Sequence, residues 1–321
     1  MSAAREPLVE TVCGPLAPAE LGFTLPHEHI YAKMIDYPLN AALGYGGMWG
    51  EVDVTEQQRD DELELFKQAG GSTIVDVTLP GIGRQPEKLR AISQRSGVNV
   101  VMGCGWYREP YYPAADVIDQ RSTDELAEVL VREIEEGVGE TGVKPGIIGE
   151  IGANNAWLTA QEERVHRAAA RAQLRSGLAL TTHSPWSDVG LKQLRVFEEE
   201  GVDPNRVVIG HCCAYPVLDY YLAIVARGAY VAFDNIGQFD IPGYQDRVTA
   251  LLLELLERGH AERVLLSHDV WNVRAFAFAG GTGYGHIGAR YLPELRERGV
   301  DEATIRTITV DNPRRVLTPV R

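Results

Sequence analysis

Long apolar runs are missing from this 321-residue chain. No stretch approaches the roughly 18 consecutive apolar residues that a membrane-spanning helix needs. The Met1–Thr11 segment has no apolar run behind Arg5, so it does not read as a signal peptide. Basic excess is also missing: 31 Lys plus Arg stand against 45 Asp plus Glu, a formal charge of −14. Such a chain repels phosphate backbones and anionic lipid, which argues against nucleic acid and membrane as partners. Cysteine is scarce, and Cys13, Cys104, Cys212 and Cys213 form no C-x-x-C pair. Reduced thiols in a cytoplasmic protein are expected. No linker rich in Pro or Ser divides the chain. No G-x-S-x-G nucleophile elbow occurs, and the alternating Gly281, Gly283 and Gly285 complete neither a G-x-G-x-x-G nor a Walker A pattern. They read as a flexible active-site loop or a turn.

What is present is an alternation of short β-branched runs and helical patterns. The runs are 73–78, 99–103, 146–150, 178–182, 207–210, 229–233 and 264–267, and 22–27 adds an eighth strand candidate. Near-continuous apolar runs of this length suit strands buried on both faces. Helical patterns cover about 55–69, 86–95, 124–136, 160–176, 189–199, 246–258 and 291–298. Thr159 and Glu162 are spaced as a capping box, and Gly177 ends the same helix. Length alone suggests about two domains, but one α/β barrel runs to about 250 residues or more. Eight strand–helix repeats favour a closed (β/α)8 TIM barrel over an open doubly wound sheet, with residues 1–321 as one domain.

Polar residues recur at the carboxy-terminal ends of the runs, where such a barrel builds its active site. His27 and His29 end the first run, with Glu28 between them facing the other way. Glu150 ends the fourth run, His183 the fifth, His211 the sixth and Asp269 the eighth. Singly, each has a structural reading: a strand-end imidazole is usually part of the packing, Glu150 pairs with an Arg, and Asp269 caps a helix. Jointly, four imidazoles and two carboxylates at one mouth form a ligand set for zinc, manganese, iron or cobalt. Six ligands suit two metals sharing a carboxylate bridge. The other histidines take structural readings: His166 in a helix, His260 at a helix end, His268 facing away from Asp269, and His286 in the Gly-rich loop.

These motifs resemble the phosphotriesterase family of the amidohydrolase superfamily. The resemblance lies in Gly22–His29, Thr182-His183-Ser184, Gly210-His211-Cys212, Ser267-His268-Asp269 and Asp311-Asn312-Pro313, and it spans about 9–317. It implies that His27, His29 and Asp269 hold a buried metal and that His183 and His211 hold a more exposed one. Founding members bridge the metals with a carboxylated lysine. Here the matching residue is Glu150, as in a minority branch. Two divalent ions are expected, zinc first, with manganese, cobalt or iron as alternatives. The implied chemistry is attack by a metal-bridged hydroxide on a lactone or related carboxylic ester, with Asp269 accepting the proton. Alternatives are a phosphotriesterase, an amidase for N-acyl amino acids and, remotely, a non-catalytic metal-binding barrel. Tyr107 matches a tyrosine that lies beside the metals in the family's lactonases. Trp106 and Arg274 are further substrate-contact candidates. The loop Phe233–Gln238 has no Arg or Lys, which argues against acyl-homoserine lactones. A small-molecule substrate and a homodimer are the expected partners.

Overall fold

The computed structural model describes residues 7–33, 54–184, 186–239 and 241–320. The first six residues of the amino-terminal segment lie outside them. Eight parallel strands follow one another around a nearly closed barrel: β1 Phe23–Glu28, β2 Gly71–Asp76, β3 Asn99–Cys104, β4 Ile147–Gly152, β5 Leu180–His183, β6 Val207–Ile209, β7 Tyr230–Phe233 and β8 Val264–Leu266. All eight strands fall on the runs expected from sequence. The intervening helices are α1 Glu56–Gln68, α2 Pro86–Ser96, α3 Thr123–Glu136, α4 Ala160–Ser176, α5 Val189–Glu199, α6 Leu218–Ala226, α7 Tyr244–Glu257 and α8 Leu292–Glu297, the last continuing a π-helical turn over Ile287–Tyr291. An antiparallel hairpin, Val9–Thr11 with Gly14–Leu16, precedes the barrel. Among the described residues no helix is long and apolar enough to cross a membrane.

Strand alternation builds two apolar layers. Val75, Val101, Ile147, Ala179, Val208, Tyr230, Ala232 and Leu265 point into the barrel. Their neighbours Ile74, Val100, Met102, Ile148, Leu180, Ile209, Val231 and Leu266 pack outward against the helices. Local signals set the helix ends. Thr159 Oγ1 accepts from Glu162 N at 3.1 Å and Glu162 returns the bond to Thr159 N at 3.1 Å, the capping box read from sequence. Gly177 closes α4 with φ +74°, a conformation costly for any residue with a Cβ.

The seam between β8 and β1 is closed mainly by side chains, with one backbone bond from Asp269 N to the His27 carbonyl at 3.3 Å. His27 N donates to Ser267 Oγ at 3.1 Å. Glu28, fully buried, accepts from Ser267 Oγ, His268 N, His268 Nδ1 and Val270 N, all at 2.8–2.9 Å. A buried carboxylate is tolerable when so many donors reach it. Glu28 therefore ties down both neighbours of Asp269 while its own neighbours His27 and His29 face the mouth.

Candidate metal centre

Three of the six candidate ligands, Glu150, His211 and Asp269, reach the mouth through a local irregularity. In β4, strict alternation after the outward Ile148 would turn Glu150 outward and Ile151 inward. A register shift between Ile148 and Ile151 reverses this: Ile151 packs outward, and Glu150 enters the lumen. Gly149 permits the shift with φ +123°, and the Gly149–Glu150 peptide is cis. A Cβ on Gly149 would also run into the Thr181 carbonyl of β5. His211 and Asp269, just past β6 and β8, both sit in the left-handed region, at φ 55° and 61°. Non-glycine residues there are strained and need outside support. His211 receives it from Asp234, whose carboxylate oxygens accept its backbone N–H at 2.8 and 2.9 Å.

The six side chains converge. His29 Nε2 lies 3.3 Å from Asp269 Oδ1 and 3.3 Å from Glu150 Oε1. His27 Nε2, His211 Nε2 and His183 Nδ1 lie 3.4, 3.2 and 3.0 Å from Glu150 Oε2. Two groups have donor atoms close enough to share an ion: His27, His29 and Asp269, and His27, Glu150 and His211. His27 thus stands between the two groups, and Glu150 touches all four imidazoles. His183 joins through Glu150 and is the more exposed histidine, at 12%.

The donor chemistry fits divalent metal ions. The set holds imidazole nitrogens and carboxylate oxygens without thiolate. Both ring nitrogens of His27 and Nδ1 of His211 are buried and make no hydrogen bond, although carboxylate oxygens lie nearby. Buried polar atoms of this kind normally have partners. Outer groups orient the rings, as around metal-binding histidines generally. Thr78 Oγ1 is 2.9 Å from His29 Nδ1, and Asp234 lies 3.3 Å from Nδ1 of both His27 and His211. Tyr284 Oη, from the loop with alternating glycines, donates to the His29 carbonyl at 2.8 Å.

Electrostatics follow the same arrangement. Burial pushes the Glu150 carboxyl up, but His27, His183 and His211 outweigh it and hold it well below the ordinary carboxylate range. At Asp269 burial prevails over the imidazoles and raises the pKa. Burial, helped by the charge of His211, brings His183 down to about 3.

The substrate-contact candidates divide. Tyr107 is buried with its hydroxyl 3.2 Å from His183 Nδ1, beside the cluster. Trp106 is packed in the layer between barrel and helices, its Nε1 donating to Asp116 at 2.7 Å. Arg274 is exposed on a short turn whose N–H is held by Asn272 Oδ1. His268 faces away from Asp269 onto Glu28, as expected. Asp234, Asn235, Thr78 and Arg108 are not among the site residues expected from sequence. The same strand-end signal that marks Glu150 marks Asp234 after β7 and Thr78 after β2.

A family model for the phosphotriesterase family matches residues 7–317. The chain belongs to the phosphotriesterase family. A phosphotriesterase homology protein from Mycobacterium tuberculosis is 34% identical, covering 97% of this chain and 97% of its own. An N-acetyltaurine hydrolase from Xenopus tropicalis is 30% identical with the same coverage of both chains. Among solved structures, a mutant phosphotriesterase-like lactonase from Deinococcus radiodurans superposes with a TM-score of 0.83 at 30% identity, covering 96% of this chain and 99% of that one. The N-acetyltaurine hydrolase and the lactonase are hydrolases by name, and this chain carries residue groups suited to metal ions.

Proposed function

We propose that this protein is a binuclear metal-dependent hydrolase of lactones or related carboxylic esters. His27, His29, Glu150, His183, His211 and Asp269 would hold the ions, with Glu150 shared between them. The observation that carries the reading is Glu150, within 3.4 Å of all four imidazoles, with Asp269 beside it. When bound, two divalent ions supply a water acidic enough to attack at neutral pH and a Lewis acid for the carbonyl oxygen. Zinc is the first choice of metal. The chain's own groups do the rest. Asp269, its carboxylate held by Asn235 Nδ2 at 3.2 Å, takes the proton of the attacking water and returns it to the leaving oxygen. The acyl–oxygen bond breaks, and carboxylate and alcohol leave. Tyr107, whose hydroxyl burial keeps well above its ordinary pKa, stays a neutral donor for the oxyanion.

A second reading is hydrolysis of N-acyl amides, favoured by full-length similarity to N-acetyltaurine hydrolases. The test is a panel of lactones, esters, N-acyl amino acids and phosphotriesters, assayed with zinc-, manganese- and cobalt-loaded protein. Turnover of a lactone or ester that disappears in His211→Ala is expected. Two bound metals with no turnover across the panel would point instead to a binding protein.

A further inference from the structure

We propose that Arg108 builds, on the rings of Tyr107 and Tyr111, a subsite beside the metal-ligand cluster that takes a carboxylate or sulfonate of the substrate. This rests on the hydrolase reading above and names the substrate class for the same mouth.

The first observation is how the cation is held. Its guanidinium carbon lies 4.8 Å from the Tyr107 ring centroid and 4.9 Å from that of Tyr111. A ring face attracts a cation without cancelling its charge. The second is the absence of a counter-ion. Among the described residues no carboxylate forms an ion pair with Arg108, whereas the buried guanidinium of Arg84 meets Glu133 at 2.7 Å. Arg108 Nε is buried and has no hydrogen-bond partner. The side chain does bond Tyr111, but a guanidinium has five N–H donors in a rigid fork suited to a planar oxyanion.

The third observation is position. A Cβ on Gly152 would sit 2.7 Å from Arg108 Cγ, so the arginine stem crosses the end of β4 two residues after Glu150. Gly152 pairs across the sheet with His183. The ring carrying Arg108 also reaches His183, through the Tyr107 hydroxyl at 3.2 Å. A substrate whose acyl carbon lies at the metal-ligand cluster would extend its anionic end to this fork.

Calorimetry on metal-loaded protein tests this with N-acetyltaurine and N-acetyl-β-alanine, which carry a sulfonate and a carboxylate, against neutral N-ethylacetamide. The wild type is expected to bind the anionic probes about 10- to 100-fold more tightly, the range of one charge-assisted hydrogen-bonded contact. Arg108→Met should erase that preference at unchanged metal content. Arg108→Lys, which keeps the charge and loses the fork, should retain only part of it, and decides the matter if the Met variant does not fold. Equal binding of anionic and neutral probes by the wild type, or a preference that survives Arg108→Met or is undiminished in Arg108→Lys, overturns the subsite. Anion preference lost in Arg108→Met with no probe hydrolysed supports the subsite and counts against the hydrolase reading. Turnover of all three probes with equal KM does the reverse.

Discussion

At the amino-terminal end of the barrel, Asn312 is fully buried and donates to the carbonyls of Ala261 and Val264, each at 2.8 Å. Arg206, also buried, spreads its terminal nitrogens over the carbonyls of Gly177, Arg315 and Val316, and of its nitrogens only Nε is without a partner. At the carboxy-terminal mouth, His27 and His211 are as deeply buried, yet both ring nitrogens of His27 and Nδ1 of His211 lack hydrogen-bond partners. Burial of polar groups is costly at both ends. At the floor the chain itself offsets most of that cost, by tying late segments to the starts of strands. At the mouth the offset must come from what binds there. The difference separates residues that hold the fold from residues that wait for a ligand.

The comparison breaks most visibly at Asp269. Asp269→Asn should lower kcat by about 10²–10⁴-fold, the usual loss of a positioned proton acceptor, with little change in melting temperature. Steady-state kinetics on a substrate with a poor leaving group checks this, and an unchanged kcat removes Asp269 from the proton path. One layer out, Asp234→Asn should weaken metal binding or activity by about 10–100-fold, because two rings lose their orienting carboxylate. Competition with a chelator measures it, and wild-type affinity would make Asp234 a packing residue.

The floor should respond in the opposite sense. Asn312→Ala removes the side-chain donor from the buried Val264 carbonyl and from the half-buried Ala261 carbonyl, which keeps the Val264 N–H, at a cost of about 1–3 kcal/mol in all. Urea unfolding should show the loss, while kcat per folded molecule stays the same. A kcat that fell with stability would erase the distinction between the two ends.

The smallest effect concerns His166 in α4, which bridges the Glu162 carbonyl and Gln193, itself bonded to the His183 carbonyl. Burial lowers its pKa to about 4, against about 6.5 in an unfolded chain. The unfolded state therefore takes up the proton first. The resulting stability is complete above pH 6.5 and is lost as pH falls toward 4, by about 3 kcal/mol at most. Melting curves of His166→Gln should depend less on pH across that window than those of the wild type. Parallel pH dependences would show that His166 does not carry the effect.

Much of this was legible in the sequence, because strand ends in a parallel barrel are both apolar in their approach and polar at their tips. His27, His29, Glu150, His183, His211 and Asp269 were all found that way and do converge. Asp234 carries the same signal after β7, but it acts through His27 and His211, a relation between distant segments that no local pattern displays. The facing of Glu150 was equally hidden, since it depends on a shift at Gly149 that breaks alternation. Helix α6 escaped for a different reason. Its sequence, Leu218-Asp219-Tyr220-Tyr221-Leu222-Ala223-Ile224-Val225-Ala226, is apolar nearly all round and too short for its period to be read. Arg274 stood out by closeness in sequence to Asp269, yet its side chain is exposed, whereas Arg108, far from every proposed ligand in sequence, lies against the mouth.

Metal analysis of purified Glu150→Gln tests most directly whether Glu150 bridges two metal ions with a carboxylate it carries permanently. A neutral amide cannot balance two divalent cations at close range, so fewer than two tightly bound ions are expected in the variant. The wild-type apo-protein should regain two ions at the same rate with or without bicarbonate. Two tightly bound metals in Glu150→Gln would contradict the bridge.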